Sequence, residues 1–422
     1  MLKQNIIEDC LKKSKYPFIK ATDVSTYIKS PFNIWANNFG EESEKDSMSD
    51  YLRMLFDQGN EHEAKIVNER YPGTKKIEFK TKIDGFKILV NEMFKGTKVF
   101  YNLPIYYLPE TFLTQPDIIE REDSHKSFFG DYHYVIKEIK LAKNIKKEHV
   151  MQACFGNLLL SKVQGYTPNY VYIINKENEE FQFSYFEHEK ELLESIQEIR
   201  EIINGKFVSP NIGSISYPWE SYAEKIALKT KDISLLNSLG STKKKVLIDH
   251  GIKNLDDLAN LEIKEDIGNI KKESLKKFKI AAKSFLENKH LFIKKPNLPD
   301  KETEIFLDFE SSLGLNLEDY TGDIDYLIGV LIRKKNHEEF LPFIADSIED
   351  EELMFMKFID FIKKQKDFVI YHYGYFEVTR FNELFNKYEI DKKTRSDIID
   401  NMVNIHNICK ECVIFPMTSY SL

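Results

Sequence analysis

Gln115-Pro116-Asp117-Ile118-Ile119 and, beyond a polar turn, His133-Tyr134-Val135-Ile136-Lys137-Glu138-Ile139-Lys140-Leu141 carry the pattern from which the architecture of the first half of the chain follows. A half-apolar run from Thr111 to Ile119 carries the Asp, Glu122-Asp123-Ser124 supplies a turn, and His133 to Leu141 reads as the second strand of a hairpin. Residues i and i+2 of a strand face one side, so Glu138 and Lys140 share a site while Ile139 turns to the other face and packs. The residue types suit one chemistry. Two carboxylates, Asp117 and Glu138, can hold Mg²⁺ or Mn²⁺ against a phosphate, and the Lys140 ammonium can fix the attacking water and offset developing charge. The spelling is short, and Glu63-Ala64-Lys65 repeats its second half by chance. Order and context give it weight. Upstream, Gly59-Asn60-Glu61-His62-Glu63 opens or sits within a helix and offers the His62 imidazole as a further ligand. Downstream, Gln152 lies in a helical run from His149 to Val163, where its amide can bind phosphate or the water network.

From about residue 18 to 176 these blocks resemble the RecB-like, CRISPR-associated type of PD-(D/E)xK nuclease. The resemblance also rests on Ala21-Thr22-Asp23-Val24-Ser25 before a helix, Ser30-Pro31-Phe32-Asn33-Ile34-Trp35, Glu138 to Lys143, and Gln152-Ala153-Cys154-Phe155. It implies a restriction-endonuclease-like α/β core in which His62, Asp117 and Glu138 hold the metal and Asp117, Glu138, Lys140 and Gln152 carry the catalysis. Two positions depart from the pattern. Gly156 stands where the Tyr of QxxxY would be, and Ser30 stands where many members carry Cys, which argues against an iron–sulfur cluster.

The chain has 422 residues, room for two or three domains with a core each. Hydrophobic residues at 42% and charged residues at 30% exclude a long disordered region. No apolar run reaches membrane-spanning length and the first residues do not read as a secretory signal, so a cytoplasmic protein with no membrane partner is expected. Cys10, Cys154, Cys409 and Cys412 are too scattered for a disulfide framework. Cys409 and Cys412 form a single CxxC, and zinc there would need two more ligands. The net charge of −8 repels a polyanion at long range, so nucleic-acid binding needs local basic surface. Lys137 to Lys147 and Lys243-Lys244-Lys245 are the candidates, each equally readable as a solvated face.

Turn-rich breaks at 208–214 and 294–300 divide the chain into an expected nuclease domain over 1–207, a helical linker over 208–293 and a third domain over 300–422. Within the linker, Ile233 to Ile248 resembles a helix-hairpin-helix, with Ser238 replacing its first glycine; Gly251 to Ala259 continues it. Such a hairpin presents backbone N–H groups to a phosphate, here around Gly240 with Lys243, Lys244 and Lys245 adding charge. A helical spacer is the alternative.

The third part opens on the apolar strand Glu304-Ile305-Phe306-Leu307-Asp308-Phe309-Glu310, then a strand over Tyr326 to Arg333, a helix over Glu349 to Gln365, and a strand from Phe368 running into a helix at Glu377. From about residue 302 onward it resembles the YprB-type ribonuclease-H-like domain, an α/β fold. The resemblance implies a second site in which Asp308 and Glu310 form the first acidic motif and lie beside Glu377. A four-acid site needs a further Asp on a later helix, and Asn404 stands where relatives tend to carry Asp, so the domain is expected to be incomplete, lacking its last helices, and its site weak; Asp397 or Asp400 is the fallback.

The whole reads as an α/β multidomain, Mg²⁺- or Mn²⁺-dependent nuclease hydrolysing DNA in preference to RNA, single-stranded or end-bearing, with the N-terminal site as its working centre. A nucleic-acid-binding adaptor with decayed or truncated sites is the alternative; protein partners are not legible.

Overall fold

The structure is a computed structural model that describes residues 2–74, 76–237, 239–316, 320–335 and 337–420. Ser238 of the expected hairpin, and Ser421 and Leu422, lie outside the described residues. Two compact units divide the chain: Met1–Leu235 with Gly240–Thr242, and Leu236–Leu239 with Lys243–Leu422. The expected helical linker over 208–293 is thus shared between them. Among the described residues no helix is long and apolar enough to cross a membrane.

In the first unit, helices α1 (Ala21–Lys29), α2 (Pro31–Phe39), α3 (Asp50–Arg70), α4 (Lys147–Gln164) and α5 (Tyr185–Ile203) accompany a five-stranded sheet. Its strands β1 (Val99–Tyr101), β2 (Ile118–Glu122), β3 (His133–Ile139), β4 (Tyr170–Ile174) and β5 (Glu180–Ser184) stand in chain order. Neighbours are antiparallel except β3 and β4, which are parallel and joined through α4.

The half-apolar run before Glu122 is two pieces. Phe112–Thr114 belongs to a separate three-stranded sheet with Ile19–Lys20 and Ile105–Tyr107, and β2 begins only after Asp117. Pro116 has no N–H to continue a ladder, so the chain changes sheets there. The Gln115 amide donates to the Asn102 side chain at 2.6 Å, and Asn102 N donates to the Asp117 carbonyl at 2.9 Å, which fixes the crossing. Asp117 therefore sits at a corner, not on a strand.

The two faces of β3 then do different things. Tyr134 and Ile136 join Phe155, Met151 and Leu159 of α4, Val171 and Ile173 of β4, and Leu192 and Ile196 of α5 in the main core. Ile139 joins Ile118 and Ile174 on the opposite face, under Ile66 and Val67 of α3. In α2, Pro31 occupies the first turn and Ser30 is the cap, accepting from Asn33 N at 3.4 Å. The hydroxyl at 30 thus starts this helix, while the Ser30 backbone N–H ends the one before it by donating to the Thr26 carbonyl at 2.7 Å.

In the second unit, α6 (Ser241–Asp249), α7 (Leu255–Asn260) and α8 (Lys272–Glu287) precede a sheet of β6 (Thr303–Asn316), β7 (Thr321–Lys334), β8 (His337–Ile344), β9 (Phe368–His372) and β10 (Met402–Asn404). The spatial order is β8-β7-β6-β9-β10, the first three antiparallel and the last three parallel. Helices α9 (Glu351–Lys363) and α10 (Phe376–Lys387) cover one face: Phe355, Phe358 and Phe381 meet Ile305, Leu307 and Phe309 of β6. Arg380 of α10 pins this layer to Asp325 of β7, donating from Nε to Oδ1 at 2.8 Å and from Nη2 to Oδ2 at 2.9 Å. Both partners are buried, so each depends on the other.

Gly156 explains itself by packing. It lies on the buried face of α4, and a side-chain carbon there would meet Ile136 at 3.4 Å and the Thr114 hydroxyl at 3.7 Å. A single carbon would sit there at ordinary contact distance, but an aromatic ring built on it would have to displace its neighbours on this buried face. Gly156→Tyr is expected to lower stability by about 1–3 kcal/mol through overpacking, whatever it gains in helix propensity, and urea unfolding at pH 7 measures it.

Candidate active site

Glu138 stands at the end of β3, 1% exposed, beneath the first turns of α4. Its Oε2 accepts from Lys140 Nζ at 2.8 Å and from Gln152 Nε2 at 3.1 Å, and Lys140 Nζ also reaches Gln152 Oε1 at 3.4 Å. Strand alternation thus places Glu138 and Lys140 together, and helix α4 brings Gln152 to them. Asp117 approaches from the corner before β2, where its Oδ2 accepts from Ile139 N at 2.6 Å. One tripeptide, Glu138-Ile139-Lys140, therefore supplies two site side chains and the N–H that orients a third.

Burial pushes the Glu138 carboxyl up to about 7, the Lys140 charge opposing and the Asp117 charge adding to the rise. Burial alone would lower Lys140, but the charges of Glu138 and Asp117 outweigh it and hold the ammonium above its ordinary range. Carboxylates in excess of cations make the pocket electronegative.

Among the described residues no three His, Cys, Asp or Glu side chains are drawn together closely enough to hold a metal ion. Two atoms nevertheless point to one. Glu138 Oε1 and His62 Nε2 are both buried and have no hydrogen-bond partner. The His62 imidazole is held below its ordinary range, first by burial, against the opposing Asn175 carbonyl, with Lys65 and Lys176 lowering it further. A neutral ring oriented by a backbone carbonyl, with its other nitrogen bare, is the donor a metal-ligating histidine presents. The bare Glu138 oxygen beside Asp117 has the donor chemistry an ion needs, whereas the groups that act most on His62 are Asn175, Lys65, Lys176 and Glu69 and not the two site carboxylates.

A side chain that sequence reasoning passed over also belongs here. Glu63, next to His62 on α3, is held above the ordinary carboxylate range by burial and then by the Asp117 charge, with the Tyr101 hydroxyl, Lys76 and Lys140 opposing. The available signal was helical spacing, since Glu63 shares a face with Ile66 and Val67, the two residues of α3 buried against the sheet.

The expected hairpin grip is rearranged. Lys243, Lys244 and Lys245 lie at the start of α6, but Lys244 is buried, Lys243 Nζ sits 5.3 Å from the centre of the Phe278 ring, and Lys245 is the exposed member of the three. Successive helical residues point about 100° apart, so three in a row do not share a face. Gly240 has open space around it and does not take a left-handed backbone, so nothing in its surroundings demands glycine. Exposed positive charge in this module stands instead on α8, at Lys276, Lys277 and Lys283.

In the C-terminal sheet, Asp308 and Glu310 are exposed on the face opposite Leu307 and Phe309, beside Phe306, Leu327 and Leu331. Glu377, expected beside them, is 3% exposed in the first turn of α10, with Oε2 3.3 Å from His372 Nδ1. The acids of the first motif are brought together, whereas Glu377 is engaged by a buried histidine. Asn404 caps the helix Ile405–Cys412, accepting from Asn407 N at 3.3 Å, and its amide donates to the Gly374 carbonyl at 2.5 Å.

No curated protein matches the chain. Residues 305–422 match the family model of the RNase H superfamily, a span that takes in all five strands of the second sheet with helices α9 and α10. The C-terminal part is thus ribonuclease-H-like, which points to nucleic-acid processing of the nuclease type and to divalent metals as the cofactor class.

Proposed function

We propose that the chain is a metal-dependent nuclease whose working centre is the N-terminal unit, RecB-like in its core, acting on DNA with single-stranded or end-bearing substrates preferred. The observation that carries this reading is the meeting of Asp117, Glu138, Lys140 and Gln152 at the end of β3, with Glu138 Oε1 buried and unpartnered. His62, Asp117 and Glu138 would hold Mg²⁺ or Mn²⁺, which supplies Lewis-acid polarisation of the phosphate and a more acidic bound water.

The chain's own residues divide the remaining work. Gln152 holds Glu138 by Oε2 and so leaves Oε1 facing the pocket. Ile139 N fixes the rotamer of Asp117. Lys140 is hydrogen-bonded to Glu138; it can turn from that carboxylate to donate to an attacking water and to a non-bridging phosphate oxygen as negative charge builds there. Burial makes that charge compensation stronger than it would be in water.

The ribonuclease-H-like part offers a second acidic pair, and the two sites separate experimentally. Glu138→Gln keeps the shape and removes the charge, so cleavage of single-stranded DNA in Mn²⁺ is expected to fall about 100-fold or more, with the melting profile unchanged. Asp308→Ala, at an exposed site whose Glu377 is engaged by His372, is expected to change the same rate less than about threefold. The reverse ranking would move the working centre to the C-terminal part; cleavage indifferent to both would favour the adaptor. Lys140→Ala is expected to lower kcat by about 10²–10³ with a smaller effect on Mn²⁺ affinity, and equal turnover of variant and parent would remove Lys140 from the mechanism. Sequence-independent backbone contacts are assigned to Lys276, Lys277 and Lys283 of α8. Replacing the three by Ala should weaken binding to all sequences alike and flatten the log–log salt slope by about 0.7–0.9 per lysine. A slope left unchanged would make that helix a spacer.

A further inference from the structure

We propose that His149 is a substrate-binding residue of the N-terminal unit, its Nε2–H donating to the phosphate next to the one being cut. This rests on the nuclease reading above and deepens it by saying how the strand is held. His149 is the third residue of α4 and Gln152 follows it by three, so the two share a side of the helix. Gln152 is fixed over the site by its bond to Glu138, which puts the imidazole about 4–5 Å further along the helix, toward its N-terminal end. The ring is not free to turn. Its Nδ1 accepts from Lys146 N at 3.3 Å, as side chains at the third helical position do when they close a helix start. An accepting Nδ1 carries no proton, so the neutral ring bears its hydrogen on Nε2. Among the described residues Nε2 has no hydrogen-bond partner, and it is left to solvent.

The charges around this ring differ from those around Glu138. Burial first, then the Lys140 charge, hold it below the ordinary histidine range; Lys146 and Lys29 add to this and Glu148 opposes. Lys29, at the end of α1, and Lys146, just before α4, are both exposed. His149 is thus a neutral donor among ammonium groups. Between Gln152 and His149 the surroundings change from carboxylates to cations within one turn of α4. A phosphate beside the scissile one would be repelled on the Glu138 side, whereas on the His149 side it meets an oriented N–H and positive charge. A ring whose tautomer and orientation are already set by the backbone loses little freedom when the strand arrives.

The test is steady-state cleavage of single-stranded DNA in Mn²⁺ by the full chain, in an Asp308→Ala, Glu310→Ala background that removes the C-terminal pair. Glu and Gln at the third helical position both accept from the capping N–H, but only Gln also carries a donor. His149→Glu is therefore expected to raise KM about tenfold or more with kcat changed less than about twofold, and His149→Gln to stay within about threefold of the parent in both. Lys162→Gln, the same change of charge at the far end of α4, is expected to alter KM less than about twofold. Should His149→Glu not fold, His149→Met, which has no donor, is read in its place. Equal KM values for the Glu and Gln variants, whether raised or not, leave His149 a helix cap and overturn the proposal, as does an equal rise in Lys162→Gln. The nuclease reading survives those outcomes as long as Glu138→Gln abolishes cleavage. If Glu138→Gln cleaves as the parent does, that reading fails and the proposal fails with it.

Discussion

A carboxylate buried at the end of a strand is the constraint on which the N-terminal unit depends. Burying Glu138 as an anion is costly unless the charge is both paired and hydrogen-bonded, and Lys140 and Gln152 meet the two requirements on one oxygen. The pairing needs β3 to extend with strict alternation to its last residue, so that Glu138 and Lys140 share a face. It also needs α4 to dock with Gln152 facing the sheet, and Gly156, one turn on, lies on the same buried face against Ile136. The intervening Ile139 is fixed twice over, by its side chain under α3 and by its N–H on Asp117. A change in register by one residue would expose the apolar side chain and bury the wrong charges.

This coupling explains what could be read without coordinates. The hairpin, the shared face of Glu138 and Lys140, and the opposite placement of Ile139 follow from period-two alternation, which a sequence displays directly. Asp117 was legible as a residue but not as a corner, because the break at Pro116 is between two sheets and a sheet's partners are not written locally. Glu63 was illegible for a different reason. Its spacing to Ile66 and Val67 marks a helix face, but only the bond from Tyr71 to Glu120 says which end of the sheet that face reaches. Lys243, Lys244 and Lys245 show a different limit: a run of like charges looks like a patch in one dimension and is dispersed around a helix in three.

The ribonuclease-H-like part obeys the same alternation with another outcome. Asp308 and Glu310 fall on one face of β6, and Ile370 and His372 of β9 fall on the other, beside Ile305 and under the helices. Glu377 follows His372 into the covered layer and is held there. The first-motif acids and Glu377 thus start from opposite faces of the sheet: β9 ends at His372, level with the part of β6 just before Asp308, while β6 itself runs on to Asn316.

That contrast bears on where the chemistry sits. An exposed pair such as Asp308 and Glu310 is solvated, so water already satisfies the charge and an ion gains little by displacing it. Glu138 is removed from water, one of its oxygens is without a partner, and burial raises its pKa, the Asp117 charge adding to the rise against the opposing Lys140. On the reading proposed above, an ion held by Asp117 and Glu138 would relieve that unfavourable charge, which would couple occupancy to the geometry of the hairpin itself. Lys140, hydrogen-bonded to Glu138 at 2.8 Å, would then be needed less for charge compensation there and could donate to a phosphate oxygen.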